Sequence, residues 1–246
     1  MTVLERIRCV RAQRRLHLTL LDPDKQSPAQ AGHIARIAAE AGTDAVMVGG
    51  SSSLDKEEVN RTVMEIKKAA DLPVILFPSG AEAIAPAADA VFFMSLLNSR
   101  SPRFLIREQK QAAPSLKRAG IEPIAMGYLV VEPGMRVGEV GQADLIGRDD
   151  VDEAMRYAMA AENFGMAVVY LEAGSGAPEP VPARMVAAVR EAVSILVCVG
   201  GGIRRAQQAS EIASAGADLI VTGTLVEREK DVVRALKSII TAVRGV

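Results

Sequence analysis

The chain has little of what nucleic-acid-binding and membrane proteins depend on. Of its 246 residues none is tryptophan and only 3% are aromatic, which leaves few stacking platforms for nucleic-acid bases. Its net charge of −1 gives no reason to expect a polyanionic partner. No run approaches the roughly 20 apolar residues of a membrane helix, and the charged N-terminal segment does not resemble a signal peptide. We therefore expect a cytoplasmic protein with no nucleic-acid partner and no integral membrane segment.

Cysteine and histidine are also scarce. Of the two cysteines, Cys9 and Cys198, the second lies in an apolar run, so a buried inert thiol is expected rather than a disulfide or a metal ligand. His17 and His33 lack the spacing of metal ligands, and His17 begins a strand, which is the wrong end for catalysis in a barrel. The sequence also lacks the motifs of serine hydrolases and Rossmann dehydrogenases, and it has no lysine in a late strand for a class I aldolase.

Apolar runs alternate with helical patterns along the whole chain. The predicted strands are Leu16–Leu21, Ala45–Val48, Val74–Phe77, Ala90–Met94, Pro123–Tyr128, Ala167–Glu172, Ile195–Val199 and Leu219–Thr222. The predicted helices are Pro28–Ala41, Lys56–Ala70, Arg103–Ala119, Val151–Phe164, Pro182–Ala192, Ala206–Ala215 and Val232–Val243. Continuous apolar runs indicate parallel strands buried on both faces. The pattern predicts an α/β fold, a (β/α)8 TIM barrel, with residues 1–246 as one catalytic domain.

Two connections are irregular. Residues 78–89, after the third strand, contain Pro78, Gly80 and Pro86 and leave room for barely two helical turns, so we expect the third helix of the barrel to be shortened or missing. Such a gap would open a groove beside the barrel, although a harmless short helix is equally compatible with the sequence. The connection Leu129–Arg148 is long and glycine-rich, and loops of this length are often functional lids.

Two glycine-rich turns follow the last two strands. Gly200, Gly201 and Gly202 come directly after one apolar run, and Gly223 and Thr224 come directly after the next. Glycine lets the backbone approach a ligand closely, and a following helix N-terminus favours an anion. Each turn alone is explained by tight loop geometry. Two of them after strands seven and eight favour a phosphate site, because phosphates commonly bind there in TIM barrels.

Polar residues at the ends of three other strands are candidates for chemistry on the same rim. Asp22 is either a turn residue or an oxygen ligand of Mg²⁺, and Ser51 is either a helix cap or a second ligand. Glu172 is either a general base or the structural partner of an arginine. The acidic run that begins at Asp149 opens a helix, so it is predicted to cap that helix rather than bind metal.

Several of these segments together resemble a known family. They are Leu20-Leu21-Asp22-Pro23-Asp24-Lys25, Val48-Gly49-Gly50-Ser51, Phe77-Pro78-Ser79, Gly127-Tyr128-Leu129, Tyr170-Leu171-Glu172-Ala173-Gly174-Ser175-Gly176, Gly200-Gly201-Gly202-Ile203-Arg204 and Thr222-Gly223-Thr224. In this order they resemble the geranylgeranylglyceryl phosphate synthase family, which includes bacterial heptaprenylglyceryl phosphate synthases. The resemblance covers essentially the whole chain, and the segment from Tyr170 to Gly176 is its most specific part.

The resemblance implies a fold, a reaction and a site. The fold is a modified TIM barrel with an altered third helix. The reaction is Mg²⁺-dependent transfer of geranylgeranyl from its diphosphate to the sn-3 hydroxyl of sn-glycerol 1-phosphate, the first ether bond of archaeal membrane lipids. By resemblance Asp22 and Ser51 hold Mg²⁺, and Glu172 orients and deprotonates the hydroxyl. The glycerol phosphate ligands are then Tyr170, Leu171, Glu172, Ala173, Gly174, Ser175, Gly176, Gly201, Gly202, Gly223 and Thr224. A homo-oligomer is also implied.

Alternatives to this reading stay open. The prenyl chain is either geranylgeranyl or a longer, heptaprenyl-type chain, and we expect its groove to be lined by Ile75, Phe92, Met94 and Leu96 or by the connection after the third strand. Another phosphate-binding TIM-barrel enzyme, such as a phosphosugar isomerase, would share the late glycine turns. A non-catalytic phosphate-binding barrel is less compatible with Asp22, Ser51 and Glu172 on one rim, since a pure binder needs no base.

Overall fold

Eight parallel strands close into a barrel. The computed structural model describes residues 1–50, 56–223 and 231–245. The strands are β1 (Leu16–Leu21), β2 (Ala45–Val48), β3 (Val74–Leu76), β4 (Ala90–Leu96), β5 (Glu122–Val130), β6 (Val168–Glu172), β7 (Leu196–Gly200) and β8 (Leu219–Thr222). They pair in sequence order, and β8 pairs back onto β1. The predicted TIM-barrel fold is confirmed, and every strand lies within two residues of its expected bounds.

Helices surround the barrel. They are α1 (Val3–Arg11), α2 (Pro28–Ala41), α3 (Lys56–Ala69), α4 (Glu108–Ala119), α5 (Met135–Val140), α6 (Val151–Asn163), α7 (Ala183–Ala192), α8 (Ala206–Ser214) and α9 (Val232–Arg244). A side-chain cap marks the start of α6. The Asp150 carboxylate accepts a hydrogen bond from Glu153 N and caps this helix, as predicted for the acidic run. Across the described ranges, no helix has both the length and the hydrophobicity needed to span a bilayer.

The connection after β3 departs from the regular barrel pattern. It holds only a 3₁₀ turn, Ala81–Ala83, which confirms the expected loss of a full helix. Its two prolines lack the N–H groups that a longer helix would require. On the far side of the gap, a π-helical turn at Arg103–Arg107 leads into α4. The outer layer is therefore thin beside β3 and β4.

The two ends of the barrel are closed differently. At the amino end the Glu122 carboxylate accepts hydrogen bonds from Val3 N and Leu4 N, the first N–H groups of α1. Arg11 at the other end of α1 pairs with the buried Asp218. Both contacts hold α1 across the amino ends of the strands, so the loops at the carboxyl ends form the face that is open for function.

Candidate active site

A cavity of about 540 Å³ opens among the carboxyl ends of the strands. Asp22 after β1, Gly50 after β2, Glu172 at the end of β6 and Gly223 after β8 all line it. These residues are far apart in sequence, and they meet because parallel strands end at the same edge of the barrel. The structure thus brings Asp22 and Glu172 to one rim together with Gly223. Gly201 and Gly202 do not line this cavity, and Ser51 and Thr224 lie outside the described residues.

Glu172 has the most constrained environment of these residues. Its side chain is buried, and the residue is only 6% exposed. Gly174 N donates to Oε1 at 2.7 Å and the Tyr128 hydroxyl donates to Oε2 at 3.1 Å. The Tyr170 hydroxyl also stabilises the charged form of this carboxylate. All three groups are neutral, and within the described residues no arginine or lysine forms an ion pair with Glu172, so the alternative role as the structural partner of an arginine finds no support here.

Burial governs the titration of this group. Removal from water raises the pKa of Glu172, while the hydrogen bonds from Gly174, Tyr128 and Tyr170 oppose that rise. A carboxylate whose pKa is raised toward neutral pH is a better proton acceptor than an exposed one. The environment of Glu172 therefore suits a general base that is held in one orientation.

Two glycines allow the carboxylates to reach the cavity. A Cβ on Gly201, whose φ is +81°, would overlap Glu172 Oε1. A Cβ on Gly50 would lie 2.6 Å from Asp22 Oδ2. Neither position accepts a side chain without moving a functional carboxylate, so these glycines are explained by close approach as well as by turn geometry.

Asp22 is placed to offer hard oxygen atoms to a cation. Its Oδ1 accepts a hydrogen bond from Asp24 N at 3.2 Å, Lys25 Nζ lies 3.8 Å from Oδ2, and the side chain is 15% exposed at the cavity. The described residues contain no group of three or more histidine, cysteine or acidic side chains that could hold a metal by themselves. One carboxylate is compatible with Mg²⁺, which binds few protein oxygens and takes the rest from phosphates and water.

The loop after β6 is held in place by an arginine that follows β7. Arg204, just after the β7 turn, donates to the carbonyls of Gly176 and Ala177 at 2.7 and 2.8 Å. Within this loop Glu172 and Ser175 line the cavity. Leu171 and Ala173 point into the core between barrel and helices, so any contact they make with a ligand is through their backbone. Arg204 was quoted in the family motif, but its tethering role is visible only in the fold.

The connection after β5 forms a wall of the cavity. Arg136, Val137 and Val140 of α5 line it. At its start Gly134 N donates to Ala173 O at 3.1 Å, and near its end Asp144 N donates to Asn98 O at 2.7 Å. This long segment, of a length often found in functional lids, is thus hydrogen-bonded to the β6 loop and to the residues that follow β4.

Aromatic side chains, rare in this chain, concentrate at the site. The ring of Phe77 packs against Tyr128 and Tyr170, with centroid separations of 5.5 and 5.6 Å. Phe77 and Tyr128 both line the cavity. The sequence assigned no role to either residue. The strand-end rule that identified Glu172 applies equally to Tyr128, which is near the end of β5.

The rest of the cavity is mainly apolar, although Glu108 and Gln109 of α4 also line it, and it leaves the barrel through the gap after β3. Phe92 and Met94 from the inner face of β4 line it, and so do Val91 and Phe93 from the outer face. It continues between Ile84 and Ala112 of the flanking segments. Of the expected groove residues, Phe92, Met94, Leu96 and part of the 78–89 connection line the cavity. Ile75 does not, because it packs inside the barrel.

Comparison with known proteins agrees with this geometry. The model of the PcrB family matches residues 8–243. A geranylgeranylglyceryl phosphate synthase of Methanothrix thermoacetophila is 57% identical over 92% of this chain and 89% of its own length. The crystal structure of (S)-3-O-geranylgeranylglyceryl phosphate synthase from Thermoplasma acidophilum, in complex with its substrate sn-glycerol-1-phosphate, is 46% identical, covers 100% of both chains and superposes with a TM-score of 0.97. A Mycobacterium tuberculosis tryptophan synthase, 15% identical with a TM-score of 0.64 over 99% of this chain and 98% of its own, shares the fold alone.

Proposed function

The chain belongs to the PcrB family, and from that premise we propose that it joins a geranylgeranyl group to the sn-3 hydroxyl of sn-glycerol 1-phosphate. The donor of this group is geranylgeranyl diphosphate. The observation that carries the proposal is Glu172, a buried carboxylate held by neutral donors where a polar rim meets an apolar cavity. A phosphosugar isomerase would not need the apolar extension past β4.

The transfer needs a proton acceptor beside the attacking alcohol. In our proposal the hydroxyl oxygen bonds to the allylic C1 of the donor, the C1–O bond to diphosphate breaks, and its electron pair leaves with the diphosphate. Glu172 takes the hydroxyl proton. Because a neutral alcohol is a weak nucleophile, its orientation by Glu172 and the β6 loop contributes as much as the proton transfer. The loop's glycine turns would provide backbone N–H groups for the glycerol phosphate.

In our proposal the diphosphate leaving group binds on the Asp22 side of the rim. Asp22, and by family resemblance Ser51, would hold Mg²⁺ against the diphosphate. When bound, Mg²⁺ would neutralise part of the charge and make the diphosphate a better leaving group. Phe77 and Tyr128 face the same space with aromatic rings, and the face of an aromatic ring attracts developing positive charge such as that on an allylic carbon.

The hydrocarbon tail fits the apolar part of the cavity. Each buried methylene contributes about 0.8 kcal/mol relative to water before the costs of binding. The tail would leave the barrel over β4 and pass the 3₁₀ turn toward α4, where residues such as Phe104 and Ala112 line the space. The missing helix after β3 makes this route available. A homo-oligomer and a cytoplasmic location remain predictions from the family and from the composition.

A transfer assay tests the proposal directly. Purified protein, radiolabelled geranylgeranyl diphosphate, sn-glycerol 1-phosphate and Mg²⁺ are expected to give an organic-soluble ether product. The enantiomeric sn-glycerol 3-phosphate and EDTA should each prevent its formation. A series of prenyl diphosphates then defines the chain length. Absence of product with every prenyl diphosphate, together with tight binding of a sugar phosphate, would replace the proposal with an isomerase-type function.

A further inference from the structure

A buried histidine close to the carboxyl end of β8 takes no part in the chemistry proposed above. His17 lies on the outer face of β1 and is fully buried, away from the cavity. Its ring lies between two threonine hydroxyls: Nδ1 is 2.9 Å from Thr43 Oγ1, and Nε2 is 2.9 Å from Thr222 Oγ1. Thr19 extends the cluster by donating to Thr43 Oγ1 at 3.1 Å. The cluster therefore connects the amino end of β1 with the last residue of β8.

One assignment of the hydroxyl protons satisfies these contacts. In it Thr43 donates to the His17 carbonyl at 3.1 Å, the nearer of two backbone acceptors, since the Ala45 carbonyl is 3.4 Å away. Thr43 Oγ1 must then accept from Nδ1–H of His17, which leaves Nε2 as an acceptor. Thr222 is consequently the donor to Nε2. Burial lowers the pKa of His17 to about 4, so the ring is neutral at pH 7, as this pattern requires.

The two sides of β8 are paired over different lengths. The ladder between β7 and β8 covers Leu219 and Ile220 only, whereas β1 pairs with β8 as far as Thr222. Beyond Ile220 the strand is thus held on one side. The hydrogen bond from the Thr222 hydroxyl to His17 connects β8 to β1 through side chains at a point where the ladder to β7 has ended. The next residue, Gly223, lines the cavity.

We propose that His17 is a positioning residue for the phosphate of sn-glycerol 1-phosphate. By accepting the Thr222 hydroxyl it fixes the carboxyl end of β8, and with it the Gly223 backbone that faces the ligand. The inference rests on the proposed function, because it concerns the same substrate. It assigns His17 no contact with the substrate and no proton transfer. Its effect is therefore confined to the glycerol phosphate end of the site, and the prenyl diphosphate end is unaffected.

Variants of Thr222 test its hydrogen bond to His17 with little change in side-chain volume in the core. Thr222→Val keeps the shape and the strand propensity but removes the donor, whereas Thr222→Ser retains it. Thr62→Val is the matched control, since the buried Thr62 hydroxyl in α3 has no hydrogen-bond partner in the described part of the chain. His17→Phe, which removes the acceptor from the other side of the bond, should resemble Thr222→Val. The measurements are calorimetric titration with sn-glycerol 1-phosphate alone and the KM of each substrate.

The expected pattern separates positioning from a general loss of stability. Thr222→Val should weaken binding of sn-glycerol 1-phosphate about fivefold to tenfold, the effect of one hydrogen bond, while the KM for prenyl diphosphate stays unchanged. Thr222→Ser and Thr62→Val should bind like the wild type. Equal affinity of Thr222→Val and the wild type would overturn this inference and leave the proposed function intact. No binding of sn-glycerol 1-phosphate to the wild type would overturn both.

Discussion

Each end of the barrel contains a buried carboxylate, and the two carboxylates differ in the charge of their hydrogen-bond partners. At the amino end Asp218 accepts from Arg11, from Arg190 Nη1 at 2.8 Å and from Val197 N at 2.8 Å. At the carboxyl end the partners of Glu172 are one backbone N–H and tyrosine hydroxyls. The arginines at the amino end neutralise the buried charge and stabilise the fold. Among the residues that the structure describes, Glu172 has only neutral partners, so its charge remains available to a proton or a substrate.

The largest expected effect is at the carboxyl end. Glu172→Gln removes the proposed base and should lower kcat about 10³-fold, within the usual range for general-base catalysis. Because its pKa is raised in the folded state, the carboxylate costs stability as pH rises from about 4.5 through that raised pKa. The variant should therefore match or exceed the wild-type melting temperature at pH 7, with the difference vanishing at pH 4. Full activity in this variant would exclude Glu172 as the base.

The opposite result is expected at the amino end. Asp218→Asn leaves Arg11 and Arg190 without their buried partner and should reduce the free energy of unfolding by about 3 kcal/mol. The KM values should not change. Chemical denaturation and steady-state kinetics check this, with Asp149→Asn, which breaks an exposed pair with Arg184, as the matched control. A variant with normal stability and altered KM would contradict the division between the two ends.

A smaller effect concerns the apolar part of the cavity. Ala112→Phe places a ring where α4 lines the cavity and should lower kcat/KM for long prenyl diphosphates about tenfold, while short ones are less affected. Ala113→Phe is the control, because Ala113, the next residue on α4, is exposed and does not line the cavity. A competition assay with prenyl diphosphates of two lengths measures the ratio. An equal loss for both lengths would place the tail elsewhere.

The smallest effect is a shift of the pH profile. The hydroxyl of Tyr128 stabilises the Glu172 carboxylate, so Tyr128→Phe should raise the pKa of Glu172 further. The acidic limb of the kcat/KM profile would move to higher pH, by less than about one unit, the size expected for one hydrogen bond. Tyr157→Phe on α6 should leave the profile unchanged. A shift toward lower pH would show that another group controls this limb.

Much of the site could be predicted because it obeys a positional rule. Asp22 and Glu172 each end an apolar run, and in a parallel barrel such ends meet at one rim. No role was predicted for Tyr128, although it also lies near the end of a strand. The chemistry of a tyrosine depends on what its hydroxyl contacts, and the sequence does not show that contact. Ile75 was wrongly expected in the groove, since an apolar residue in a short strand is equally suited to the barrel interior, where it packs.

The sequence by itself determined the barrel, the missing helix and the end of the barrel that carries function. These follow from local patterns: continuous apolar runs, two prolines in a short connection, and polar or glycine residues directly after strands. Only the tertiary structure decided which groups surround Glu172, how the cavity leaves the barrel over β4, and that His17 holds Thr222. Tyr128 and Glu172 are 44 residues apart, and His17 and Thr222 are 205 apart. Contacts of that range depend on how individual side chains pack once the barrel has closed, which no local pattern specifies.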